Sequence, residues 1–197
     1  MRLSPEQLEI ITKTTSFVAG GSALTAERKY LSGLLEAIQR CVYFLDAASK
    51  NTPWPLSEHI LKSRKKDNEL FEALAAVNER FSKLQDSLGA AMRHSLILSG
   101  EQADSFIKVL AIFEKFKVIS SIEEWQIART ARNLAAHDYQ TNYAVVAEHF
   151  NTLHALTNNL YGTASRFLVY CESQLAVLPL TDDFSVEFRT ITTSISK

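Results

Sequence analysis

Arg132, Asn133, His137 and Tyr139 fall close together in the stretch Trp125–Tyr139, which reads WQIARTARNLAAHDY. An imidazole has a reference pKa near ~6.5, so His137 can take or give a proton at neutral pH. A guanidinium presents a planar fork of donors that suits a phosphate and stabilises charge developing on its oxygens. Arg132 is placed for that role, with Arg129 a second cation nearby. Asn133 lies one turn before His137 and can orient either the imidazole or the phosphate.

Wound as a helix at about 100° per residue, the segment separates into faces. Arg132, Ala136, Tyr139 and Tyr143 form one stripe, and Asn133, His137 and Gln140 form a second beside it. Ile127, Ala131 and Leu134 fall on the far side with the spacing of a buried stripe. A merely solvated face more usually carries Lys and Glu. On this reading Arg132 and His137 both face solvent, and alanine at either position leaves folding near wild type. A blander account also fits: a surface arginine, a helix-end histidine favoured by the dipole, and a tyrosine half-buried at the cap.

The pattern R-N-x-x-x-H-x-Y, late in a small helical chain and preceded by a tryptophan on the same helix, resembles the HEPN superfamily. More narrowly it resembles HepT-type toxins, which are encoded beside a minimal nucleotidyltransferase antitoxin. The R-x4-H-x-Y motif is matched at Arg132, His137 and Tyr139. The likeness extends in outline over Leu70 to Val177 and is specific over Trp125 to Tyr139. It implies a metal-independent, cofactor-free endoribonuclease, the toxin of a toxin–antitoxin pair. Arg132 and His137 would be catalytic, and Asn133 and Arg129 would support them or bind phosphate. The product would carry a 2′,3′-cyclic phosphate. Tyr139 would be the residue to which the nucleotidyltransferase partner attaches AMP.

Cleavage by that route needs one group to accept a proton and another to donate one. Each chain offers one motif histidine, so a two-fold homodimer with facing motif helices is expected. Ala128 and Ala136 are small enough to let the helices approach. Two other readings stay open: a non-catalytic HEPN subunit that binds nucleotide or substrate for a nucleotidyltransferase partner, and a purely structural helical interaction domain.

The elements that must position this segment are helical. Few glycines and prolines interrupt the chain, and apolar residues recur every three or four positions, which predicts an all-α, antiparallel up-and-down helical bundle. Ser4-Pro5-Glu6-Gln7 resembles a capping box with proline at the first helical position. The first helix is expected to stop at Gly20-Gly21, and a long one follows over about Thr25 to Ala48. Pro53-Trp54-Pro55 requires a loop, with a short helical turn after it. Further helices are expected over about Asn68–Leu98 and Gln102–Phe116. The motif helix opens at the capping box Ser121-Ile122-Glu123-Glu124, and a last helix over Tyr143–Leu175 is capped by Asn142. The domain organisation read from this is an N-terminal helical extension at 1–22, a HEPN-like bundle at 23–178 and a tail at 179–197. That tail reads equally as extended strand or flexible end.

Net charge is −1, so nucleic acid would have to be met by a local basic patch and not by overall charge. The run Lys62-Ser63-Arg64-Lys65-Lys66 is either a solvated connector or a phosphate-attracting patch. Cys41 and Cys171 read as buried small hydrophobes. His59, His94, His149 and His154 read as surface or packed side chains, Asp67, Asp86, Asp104 and Asp138 are scattered, and no metal-ligand spacing is present. No signal-peptide run and no membrane-length apolar stretch is found, so the expected location is cytoplasmic.

Overall fold

The computed structural model describes residues 5–101, 104–134 and 142–194, with the backbone alone for 5–23 and 134. Seven helices are formed among them: α1 (Pro5–Lys50), α2 (Glu58–Ser63), α3 (Asn68–Leu98), α4 (Phe106–Lys115), α5 (Ile122–Leu134), α6 (Tyr143–Leu175) and α7 (Ser185–Thr193). No strand occurs among the described residues, so the chain is all-α, as its periodicity requires. None of these helices is long and apolar enough to cross a membrane.

The pairing is antiparallel where the side chains show it. Glu27 of α1 meets His94 of α3, and farther along Phe44 of α1 meets Arg80 of α3. Arg28 donates to the Leu175 carbonyl at the far end of α6, whereas Ser49 meets His154 nearer its start. Leucines at 31, 35 and 45 on α1, at 70, 74, 84 and 88 on α3, and Phe150, Leu153 and Phe167 on α6 form one continuous core.

Caps explain several boundaries. The Asp67 carboxylate accepts from the Leu70 amide at 3.0 Å, and that bond, reinforced by Arg64, lowers its pKa from the ordinary carboxylate value. Asn142 accepts from the Ala144 amide at 3.0 Å and opens α6. The basic run before α3 is partly neutralised locally, with Lys62 on Glu58 and Arg64 on Asp67, each at 2.6 Å. Lys65 and Lys66 of the same run are exposed.

Two expectations are corrected. Gly20-Gly21 does not end a helix, because α1 runs through it. A helical glycine costs roughly 1 kcal/mol relative to alanine, a penalty that continuous helix on both sides outweighs. The stretch after Pro179 is neither strand nor free tail. It forms α7, which packs on α1 and α6 and buries Phe188 and Ile191. Phe184, Phe188 and Ile191 follow helical spacing, a pattern masked in the sequence by the alternation of Phe184, Val186 and Phe188. Val186 is in fact exposed. Phe188→Ala is expected to destabilise the protein by about 3 kcal/mol, the usual scale for a buried phenylalanine. Urea unfolding checks this; a loss under about 1 kcal/mol would mean that α7 contributes little to the fold.

Candidate functional site

Helix α5 begins at a well-defined cap. The Glu124 amide donates to Ser121 Oγ at 3.0 Å, and the Ile122 amide donates to the Glu114 carboxylate at 2.9 Å. The Glu124 side chain turns away to accept from Asn159 of α6. The helix is thus seated on α4 and α6 from its first turn.

Its buried face is Trp125, Ala128 and Ala131, at the i, i+3, i+6 spacing of a narrow seam. This corrects the stripe read from sequence, since Ile127 is 48% exposed. Ala128 faces the interior, in a crevice it shares with Leu156 and Leu160 of α6. It is therefore unavailable to a second motif helix.

Trp125 and Arg132 tie α5 to α3. The buried Gln85 amide donates to the Trp125 carbonyl at 2.9 Å. Two turns beyond Trp125, Arg132 Nη1 donates to the Ser82 carbonyl at 2.8 Å and lies 2.6 Å from Asp86 Oδ1. The Arg132 side chain is only 14% exposed, so the expectation that it lies on a free polar face is wrong. The turn of α5 places its stem against α3, and the Asp86 carboxylate and a backbone carbonyl hold its charge there. Arg132 Nε and Gln85 Oε1 are buried without hydrogen-bond partners. Arg129 and Asn133 are exposed as expected. His137 and Tyr139 lie outside the described residues.

Between α3 and α5, roofed by the first turn of α4 and one residue of α1, lies a cleft of about 500 Å³. Arg129 and Arg132 line it from α5, Asp86, Arg93 and His94 from α3, Phe106 from α4 and Tyr30 from α1. Its floor exists because position 89 is glycine. A Cβ there would stand 3.1 Å from Phe106 Cζ and 3.7 Å from the Trp125 ring. Arg93 carries its guanidinium over the Phe106 ring at 5.5 Å, a cation–π contact. His94 Nε2 donates to the Glu27 backbone carbonyl and faces its carboxylate, at 3.0 and 2.9 Å, with the Tyr30 ring against it at 4.8 Å.

The charges do not balance. Three arginines line the cleft against one aspartate, which Arg132 already engages. Neither Arg93 nor Arg129 has an anionic partner among the described residues. A locally positive cleft therefore exists on a chain of net charge −1. From the sequence Asp86 reads as a scattered acid and His94 as a surface or packed histidine, and Arg93 draws no notice. Asp86, Ala90, Arg93 and Ile97 follow helical spacing opposite the leucine stripe of α3, and that was the signal available.

Of the other histidines, His149 is partly buried and His154 is exposed beside Trp54. His149 and His154 have pKa values lowered by burial, His154 stacking on Trp54 at 4.2 Å. Burial raises the Cys41 thiol and pushes Cys171 up to about 12, so both stay protonated. Among the described residues no three His, Cys, Asp or Glu side chains come together as a metal ion needs. Compared with known families, curated proteins and solved structures, the chain matches none.

The geometry separates the two arginines of α5. Arg132→Ala removes the donor from a backbone carbonyl and the partner from Asp86, and is expected to cost about 1–2 kcal/mol. Arg129→Ala touches no such contact and is expected to stay within about 0.5 kcal/mol of wild type. Urea titrations of both variants check the contrast; equal effects would contradict the Arg132 anchorage.

Proposed function

We propose that the protein is a metal-independent endoribonuclease of HEPN type, the toxin of a pair whose antitoxin is a nucleotidyltransferase. The observation that carries this reading is Arg132. The arginine that opens R-N-x-x-x-H-x-Y is held by Asp86 and the Ser82 carbonyl at the edge of a cleft with excess positive charge. A guanidinium fixed before substrate arrives needs little reorganisation to meet a phosphate, and preorganised charge is the largest single source of catalysis in many enzymes.

In this reading His137 takes the proton from a ribose 2′-OH. The 2′ oxygen attacks phosphorus, the bond from phosphorus to the 5′ oxygen breaks, and a second acid returns a proton to that oxygen. Arg132 stabilises the charge that develops on the non-bridging oxygens. The second acid is His137 of a second copy, which makes a two-fold homodimer the working unit. Because Ala128 is turned inward, the facing surfaces would be built on the exposed residues of α5, Arg129 and Asn133 among them.

RNA incubated with purified wild-type protein in EDTA should be cut to fragments ending in 2′,3′-cyclic phosphate. Arg132→Ala and His137→Ala should each lower the rate by at least a hundredfold, with folding checked by circular dichroism. Dimers of one wild-type and one His137→Ala chain should retain far less than half the activity if the site is shared. Cleavage by either single variant at the wild-type rate would remove these residues from the mechanism.

Neutralisation is assigned to Tyr139. An attached AMP adds phosphate charge seven residues from Arg132 and obstructs the anion site. Mass spectrometry of protein coexpressed with its cognate nucleotidyltransferase should find adenylate on Tyr139. Neutralisation with that residue unmodified would rule the mechanism out.

A further inference from the structure

We infer that the cleft between α3 and α5 is a binding site for one nucleotide of single-stranded RNA, its phosphate held by Arg93 and Arg129 and its base stacked on Tyr30. This deepens the ribonuclease reading and rests on it only in taking RNA as the source of the nucleotide.

The argument begins with charge. Arg93 and Arg129 come from different helices, line the same cleft, and lack an anionic partner among the described residues. The acidic groups near them are engaged elsewhere. Asp86 is on Arg132, and Glu27, behind His94, is on that imidazole. Two guanidiniums that line one cavity with no anionic partner among the described residues suit a phosphate, which accepts from both at once. Arg93 is further restrained by the Phe106 ring beneath it, so less side-chain freedom is lost when it binds.

The remaining surface is aromatic and apolar. Tyr30 is 58% exposed at the rim, with one contact along its ring to His94. Ile97, 60% exposed, stands on the same side. Such a surface beside arginines favours a planar ring joined to an anion, and base stacking on an aromatic side chain tolerates any base. The volume of about 500 Å³ falls in the usual range of roughly 300–1,000 Å³ for small-ligand pockets. It is large enough for one splayed-out nucleotide. The shared chemistry could be offered by a free mononucleotide, so the test has separate arms for the two sources.

Binding is measured on a His137→Ala background, so that no cleavage intervenes, by fluorescence anisotropy of a labelled single-stranded RNA hexamer. Unlabelled hexamer, the same sequence as a duplex, AMP and inorganic phosphate serve as competitors. Arg93→Ala and Arg129→Ala should each weaken hexamer binding at least tenfold and flatten its salt dependence. Arg93→Lys should weaken it less. Tyr30→Leu should cost about fivefold or more, while Tyr30→Phe keeps wild-type affinity because the ring and not the hydroxyl does the stacking. Thermal melts confirm that these exposed substitutions leave the fold intact. Single-stranded hexamer should compete far better than duplex or phosphate. Hexamer affinity unchanged in both arginine variants overturns the site. AMP binding without hexamer binding overturns RNA as the source. Wild-type protein that binds the hexamer through these residues yet never cuts it refutes the ribonuclease reading and leaves this site standing.

Discussion

Helix α3 must be buried on nearly every side, and the rest of the molecule follows from that constraint. It is touched by α1, α4, α5 and α6. Beyond its first turn its exposed residues, Glu72, Ala75, Glu79, Lys83, Asp86, Ala90, Arg93 and Ile97, recur every three or four positions, and so draw a single line along the cylinder. Most of the apolar side chains on the helix are committed to neighbours, Ile97 being the large exception. Helices α4 and α5 then lie beside the later part of that line, with Phe106 and Trp125 at Gly89 and Arg132 at Asp86. The cleft is the part of the line they leave uncovered.

Arg132 therefore serves two ends with one side chain. Its ion pair with a mostly exposed aspartate is worth little as stabilisation by itself. Its hydrogen bond to the Ser82 carbonyl matters more, because it is charge-assisted and made by a largely buried guanidinium. The same contacts fix the guanidinium in space. A residue with both roles loses fold and chemistry together when removed, which is why binding and cleavage must be read beside stability.

How much of this was legible in the sequence depended on whether the signal was local. The Ser121 and Asn142 caps, the bounds of α3 and α6 and the start of α5 are set by short-range chemistry, and periodicity with capping residues revealed them. The turn of α5 about its axis was misread because Ala128 and Ile127 are adjacent and only packing decides which goes inside. Small alanine fits against Leu156 and Leu160 of α6, and isoleucine is left out. The cleft was invisible for a related reason. Tyr30, Arg93 and Arg129 are spread over about half of the chain, and no spacing rule joins residues that tertiary packing alone brings together. In α7, helical and alternating patterns coincide over so few residues that burial against α1 and α6 had to choose.

Gly89 links interior and surface in a way that contact energies do not describe. The missing side chain is what allows the Phe106 ring to settle against α3, and the Arg93 guanidinium lies over that same ring. A single carbon added in the core would displace the ring, and the ring would carry a surface charge with it. The position of a cation in the cleft is thus set by a steric gauge buried one layer below, and its tolerance is a few tenths of an ångström. Drift in sequence at this point would be felt first as altered electrostatics and only later as altered stability.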